Sequence, residues 1–122
     1  MLTENNKAWA KNAAVLIVLV SSKNFEHNNK YSITHKFDAG AAWENLAIEG
    51  IRRGLAVHGM EGFDYEKARK ELEIPDDYDV ECMIAIGKRD VKENLPREIQ
   101  AWETPSTRKP LKDIIMKGKF KK

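Results

Sequence analysis

Residues 38–53, DAGAAWENLAIEGIRR, decide how the rest of the chain is read. Trp43, Leu46, Ala47, Gly50 and Ile51 recur at helical spacing and form one apolar face. Asp38 can accept from the free N–H groups of the first turn. Arg52 and Arg53 suit the negative end of the helix dipole. Gly54 follows as the residue just past the end, where a positive φ costs glycine little. Ala39, Gly40, Ala41, Ala42, Ala47 and Gly50 are small, so another helix can approach closely. The segment is predicted to be a deeply buried helix or a subunit contact.

Upstream, residues 13–20 read AAVLIVLV. A run this short falls well below the roughly 20 residues needed to span a bilayer. Its continuous apolar character predicts a strand at 14–21 covered on both faces. Before it, residues 5–12 predict a short helix or turn anchored by Trp9. Between strand and helix, residues 22–36 form a polar, Asn-rich loop. It carries His27 and His35, whose spacing matches no metal pattern, so both are expected to be solvated and no metal is predicted.

Downstream, residues 55–58 predict a short strand, and GMEG (59–62) a turn. Asp64 is placed to cap a helix at 65–72, with Pro75 past its end. Asp76, Asp77 and Asp79 predict a polar turn, residues 80–87 a third strand, and 91–100 a helix or turn. The order strand, helix, strand, helix, strand predicts an α+β domain: a mixed sheet flanked by helices in α/β/α layers. Residues 104–122 predict an extended tail in which Arg108, Lys109, Lys112, Lys117, Lys119, Lys121 and Lys122 concentrate the basic charge.

The chain has 122 residues, 42% hydrophobic and 33% charged, which fits one folded domain and excludes disorder. A net charge of +2 is too small to argue for nucleic acid. The single cysteine, Cys82, excludes an internal disulfide, and its apolar surroundings predict a buried, inert thiol. A cytoplasmic protein without membrane contact is expected.

Paired carboxylates, a Ser-His-Asp set and a phosphate-binding P-loop are not found. Two features could carry binding. Glycines in GMEG permit a backbone whose N–H groups face a flat heterocycle directly, or simply a strand-to-helix turn. Arg108 and Lys109 beside Ser106 and Thr107 are good phosphate ligands, or simply a solvated basic tail.

Taken in order, five stretches resemble the flavin-dependent nitroreductase family: NNKAWAKNA with VLIVLV; FDAGAAWENL; GL through HGMEGFD; IAIG; and RKPL with II and GKF. The resemblance covers nearly the whole chain and matches the C-terminal portion of a family member. The family's N-terminal arginine-serine-arginine motif has no counterpart here, and Ala8 and Ala14 stand where proline is common. The resemblance implies FMN as cofactor, NAD(P)H as reductant, and reduction of nitroaromatic or quinone-like acceptors. It places the backbone N–H groups of Glu61 and Gly62 at the flavin ring, and Arg108 at the FMN phosphate with Lys109 beside it. Ser106 falls where some members carry a second basic phosphate ligand. A homodimer built partly on the 38–53 helix is implied, or a complementing N-terminal half. The alternative is a truncated or split-gene fragment without flavin binding or activity of its own.

Overall fold

The computed structural model describes residues 1–120; Lys121 and Lys122 of the basic end lie outside them. The elements run α1 (Glu4–Ala10), β1 (Val15–Ser22), α2 (His35–Arg52), β2 (Ala56–Met60), α3 (Tyr65–Glu71), β3 (Tyr78–Gly87) and α4 (Arg97–Gln100), with short 3₁₀ turns at Lys92–Asn94 and Leu111–Asp113. The strands form one sheet in the order β1-β3-β2. Both pairings are antiparallel, so β1 and β2 point the same way and are separated by β3. The expected α+β class and layering hold. Within this chain, however, the sheet is antiparallel throughout and not mixed.

The two faces can be assigned from cross-strand pairs. Met60 pairs with Met83, and both join Ala10, Phe63, Ala68 and Ala85 in the core under α1 and α3, with Trp9 packed against it. Gly59 pairs with Ile84, and Gly59 lies under the indole of Trp43 from α2. Ile84, fully buried, is therefore the centre of the opposite layer. The period of two along β2 and β3 thus feeds one layer to α1 and α3 and the other to α2.

Helix boundaries follow their caps. Thr3 accepts from the Asn6 N–H at the start of α1, and Asp64 accepts from Lys67 N–H at the start of α3. Gly54, at φ 72°, closes α2 as expected. The start of α2 differs from expectation. The helix begins at His35, one turn earlier, so Asp38 lies inside the first turn and accepts from the Thr34 hydroxyl instead of capping. β3 likewise starts at Tyr78, which moves Asp79 from a turn into the sheet.

Gly50 has a packing role on the inner face of α2. A Cβ there would collide with the Val57 side chain of β2. Alanine gains about 1 kcal/mol of helix propensity against roughly 1–3 kcal/mol of overpacking. Gly50→Ala is expected to destabilise the fold, read as a lower urea midpoint at unchanged slope.

Apolar surface on α2 and on β1 is left bare. On α2, Phe37, Ala41, Glu44, Ile48 and Ile51 follow a 4-3-4-3 spacing, with Phe37 77%, Ile48 49% and Ile51 68% exposed. Ile51 was expected on the inner face; it faces outward because Ala47 and Gly50 take the inner positions. β1 lies at the sheet edge, and Val15 and Leu16 are exposed, so its two faces are not both covered. The accessible surface is 10040 Å². A compact monomer of 14.0 kDa exposes roughly 6,700 Å².

Candidate functional site

The GMEG segment is not one turn. Gly59 and Met60 complete β2, and only Glu61 and Gly62 lie beyond it. Gly59 packs closely against the Trp43 indole, whose nearest atom would sit 3.0 Å from an added Cβ. At Gly62 the Thr3 and Asn6 side chains crowd the same position from the start of α1. Neither glycine has a positive φ. The Gly62 carbonyl accepts from the Thr3 N–H (3.1 Å), the Thr3 hydroxyl (3.1 Å) and the Asn6 amide (3.0 Å). The Phe63 N–H returns to the Glu61 carbonyl at 2.8 Å, a γ-turn that fixes the bend. The turn and cap hydrogen bonds of the described residues draw on neither the Glu61 nor the Gly62 N–H. The bend is thus held through carbonyls, and those bonds leave both N–H groups unused. Below it, Phe63 stacks on Tyr65 at 4.1 Å between ring centroids. Burial, then the nearby Glu61, Cys82 and Glu81, push the Tyr65 hydroxyl pKa up.

The second predicted group lies on the arm. Every residue from 101 to 120 is exposed. Arg108 Nη1 donates to the Ser106 hydroxyl at 2.7 Å and, more weakly, to its carbonyl at 3.4 Å. Ser106 therefore steadies the guanidinium. Lys109 is exposed beside it. No hydrogen bond or ion pair among the described residues joins this group to Glu61 or Gly62. The structure brings Ser106 and Arg108 together and leaves the two groups separate within one chain.

A third cluster was not read from the sequence. His35 is not a solvated loop histidine: it is 6% exposed and opens α2. The Ser21 hydroxyl lies 2.7 Å from His35 Nδ1 and donates to Glu81 Oε1 at 2.5 Å. Glu81 reaches this position because β3 carries a bulge there: Leu19 pairs with Cys82 and Val20 with Val80, which leaves Glu81 without a partner. Asp79 completes the cluster, and its carboxylate pairs with Lys36 (2.9 Å) and Lys23 (3.2 Å). The ligand atoms of His35, Asp79 and Glu81 lie within 4.8 Å of one another, but two ammonium groups already neutralise Asp79. Ser21 lies 14 positions from His35 and 60 from Glu81, and no spacing signals a bulge.

The hydrogen bond from Lys36, with Lys23 adding to it, holds the Asp79 carboxyl below the usual carboxylate range. A depressed folded-state pKa contributes stability above the unfolded value, which is lost as pH falls through the folded one. Thermal stability should therefore fall from about pH 4 downward, and Asp79→Asn should flatten that acid limb while lowering stability at pH 7. Burial, and next Glu81, push the Cys82 thiol up, consistent with an inert thiol.

No described helix is long and apolar enough to cross a membrane. Residues 2–88 match the model of the Nitroreductase family. An uncharacterised 15.4 kDa protein of Mycolicibacterium smegmatis is 34% identical over 83 residues, 68% of this chain and 53% of its own length. A crystal structure described as an oxidoreductase containing FMN superposes with a TM-score of 0.90 at 41% identity, over 98% of this chain and 62% of that one. A nitroreductase family protein of Streptococcus pneumoniae superposes with a TM-score of 0.71 at 22% identity, over 97% of this chain and 71% of that one. The chain thus spans about half the length of the curated relative.

Proposed function

The chain belongs to the nitroreductase family, and from that premise we propose that it is the C-terminal, FMN-binding portion of a nitroreductase-type oxidoreductase. It uses NADH or NADPH to reduce a small electron-poor acceptor, nitroaromatic or quinone-like, in the cytoplasm. The observation that carries this reading is its likeness to the FMN-containing oxidoreductase, which runs along nearly the whole chain.

The residues present fit FMN in part. The Glu61 and Gly62 N–H groups donate to acceptors on the ring, and Gly62 brings no side chain between backbone and ligand. Such donors favour the electron-rich reduced ring. Arg108 pairs with the phosphate as a charge-assisted fork, Ser106 orients it, and Lys109 adds a second positive charge. FMN, when bound, supplies the hydride chemistry. Its remaining phosphate and ribityl contacts need residues other than these five.

The same reading accounts for the bare surfaces. The excess of about 3,300 Å² over a compact monomer is shared between the exposed arm and these faces, and an obligate interface would cover part of it. The outer stripe of α2 has the spacing of a helix–helix seam, and Ala41 within it is small enough for close approach. A second copy packed there makes a homodimer. The open edge of β1 favours a further element, such as a complementing N-terminal half, because apolar edge strands are rarely left uncovered.

The test is anaerobic mixing of the flavin-loaded chain with NADH and with NADPH. Bleaching of the visible flavin band by one of them, and its return on adding a nitroaromatic, is expected. A bound flavin that stays oxidised with both would contradict the proposal.

A further inference from the structure

A cavity of about 350 Å³ lies between the end of β1 and the start of α2, away from the Glu61 bend and the arm. Leu19, Phe25, Ala39 and Ala42 supply apolar walls, and Ser21, Asn24, Glu26, Ser32, His35 and Asp38 supply polar ones. The Tyr31 ring sets its edge against His35 at 5.8 Å between centroids.

The hydrogen bonds determine which His35 nitrogen carries the proton. A serine hydroxyl has one hydrogen, and an ionised carboxylate only accepts. Ser21 lies 2.5 Å from Glu81 Oε1, so its hydrogen is given to Glu81. The 2.7 Å contact with His35 Nδ1 then requires that Nδ1–H donates to Ser21. In the neutral ring this leaves Nε2 as a bare lone pair. Nε2 has no hydrogen bond among the described residues. The Trp43 indole nitrogen is the one sealed and unpaired side-chain atom among them, so Nε2 keeps some accessible surface on a residue that lines the cavity. An acceptor on a nine-tenths buried histidine, polarised through Ser21 by Glu81, therefore lines an open hollow of mixed apolar and polar walls.

We propose that this cavity is a ligand site in which His35 Nε2 accepts a hydrogen bond from the N–H or O–H of a small aromatic or aliphatic molecule whose apolar body rests on Leu19, Phe25 and Ala42. The chain Glu81–Ser21–His35 is the positioning device: it fixes the tautomer and the ring orientation. The site does not depend on flavin.

Nitrogen-15 NMR of the uniformly labelled chain tests both parts, with phenol as the probe and anisole as its methylated counterpart. His35 is expected to show a protonated Nδ1 and a bare Nε2 at neutral pH. Phenol should shift the Nε2 resonance saturably, with anisole binding about tenfold more weakly, the loss of one hydrogen bond. A protonated Nε2, an Nε2 resonance that phenol does not move, or equal responses to phenol and anisole would each overturn the proposal. Ser21→Ala, which keeps the fold's volume, should release the tautomer; an unchanged tautomer in that variant would count against the relay.

Discussion

Ile48→Glu is expected to turn a dimeric chain into a monomer. Ile48 sits in the middle of the outer stripe of α2, half exposed in the single chain. A symmetric helix pair would bring two copies of the new carboxylate into the seam. Removing such a charge from water without a partner costs several kcal/mol, so association should weaken by roughly a hundredfold or more. The fold itself should survive, because the inner face of α2 rests on Ala39, Ala47 and Gly50. Light scattering across a concentration series reads the outcome. Lys70→Glu, on the exposed side of α3, serves as the charge control and should leave the mass unchanged. A dimer of wild-type strength in Ile48→Glu would move the interface away from α2.

Arg108→Ala is expected to weaken FMN binding by roughly 1.5–3 kcal/mol, the scale of a hydrogen bond to a charged group. That is about tenfold to 150-fold in affinity. Ser106→Ala should have a smaller effect in the same direction, because Ser106 holds the guanidinium at 2.7 Å and does not itself supply charge. The arm carries no buried residue, so neither change should alter thermal stability without flavin. Flavin fluorescence titration of each variant reads the affinity. Unchanged affinity in Arg108→Ala would remove this residue from the site.

Much of the fold was legible because its signals are local. The periodicity of α2, Gly54 at its end, the Asp64 cap and the apolar run of β1 each act within a few residues. What was not legible depends on contacts between distant segments. The two glycines at 59 and 62 read as a turn or a ligand approach. They serve close packing of Trp43 and of Asn6, and only the second lies beyond the strand. His35 read as a loop residue because nothing in residues 22–36 signals that α2 starts a turn before Asp38. Glu81 read as an ordinary strand residue because a bulge is set by pairing, and pairing is not local. The assignment of Glu61, Gly62, Ser106, Arg108 and Lys109 to flavin rests on resemblance and not on spacing: Ser106 and Arg108 are joined, but no hydrogen bond among the described residues links them to Glu61 or Gly62 in one chain.

The most direct measurement is light scattering of the purified chain after incubation with FMN, with visible absorbance recorded across the same eluting peak. The account predicts a peak of twice the chain mass carrying the flavin band, and a lower flavin content in Arg108→Ala. A folded monomer that elutes without flavin at saturating FMN would contradict it.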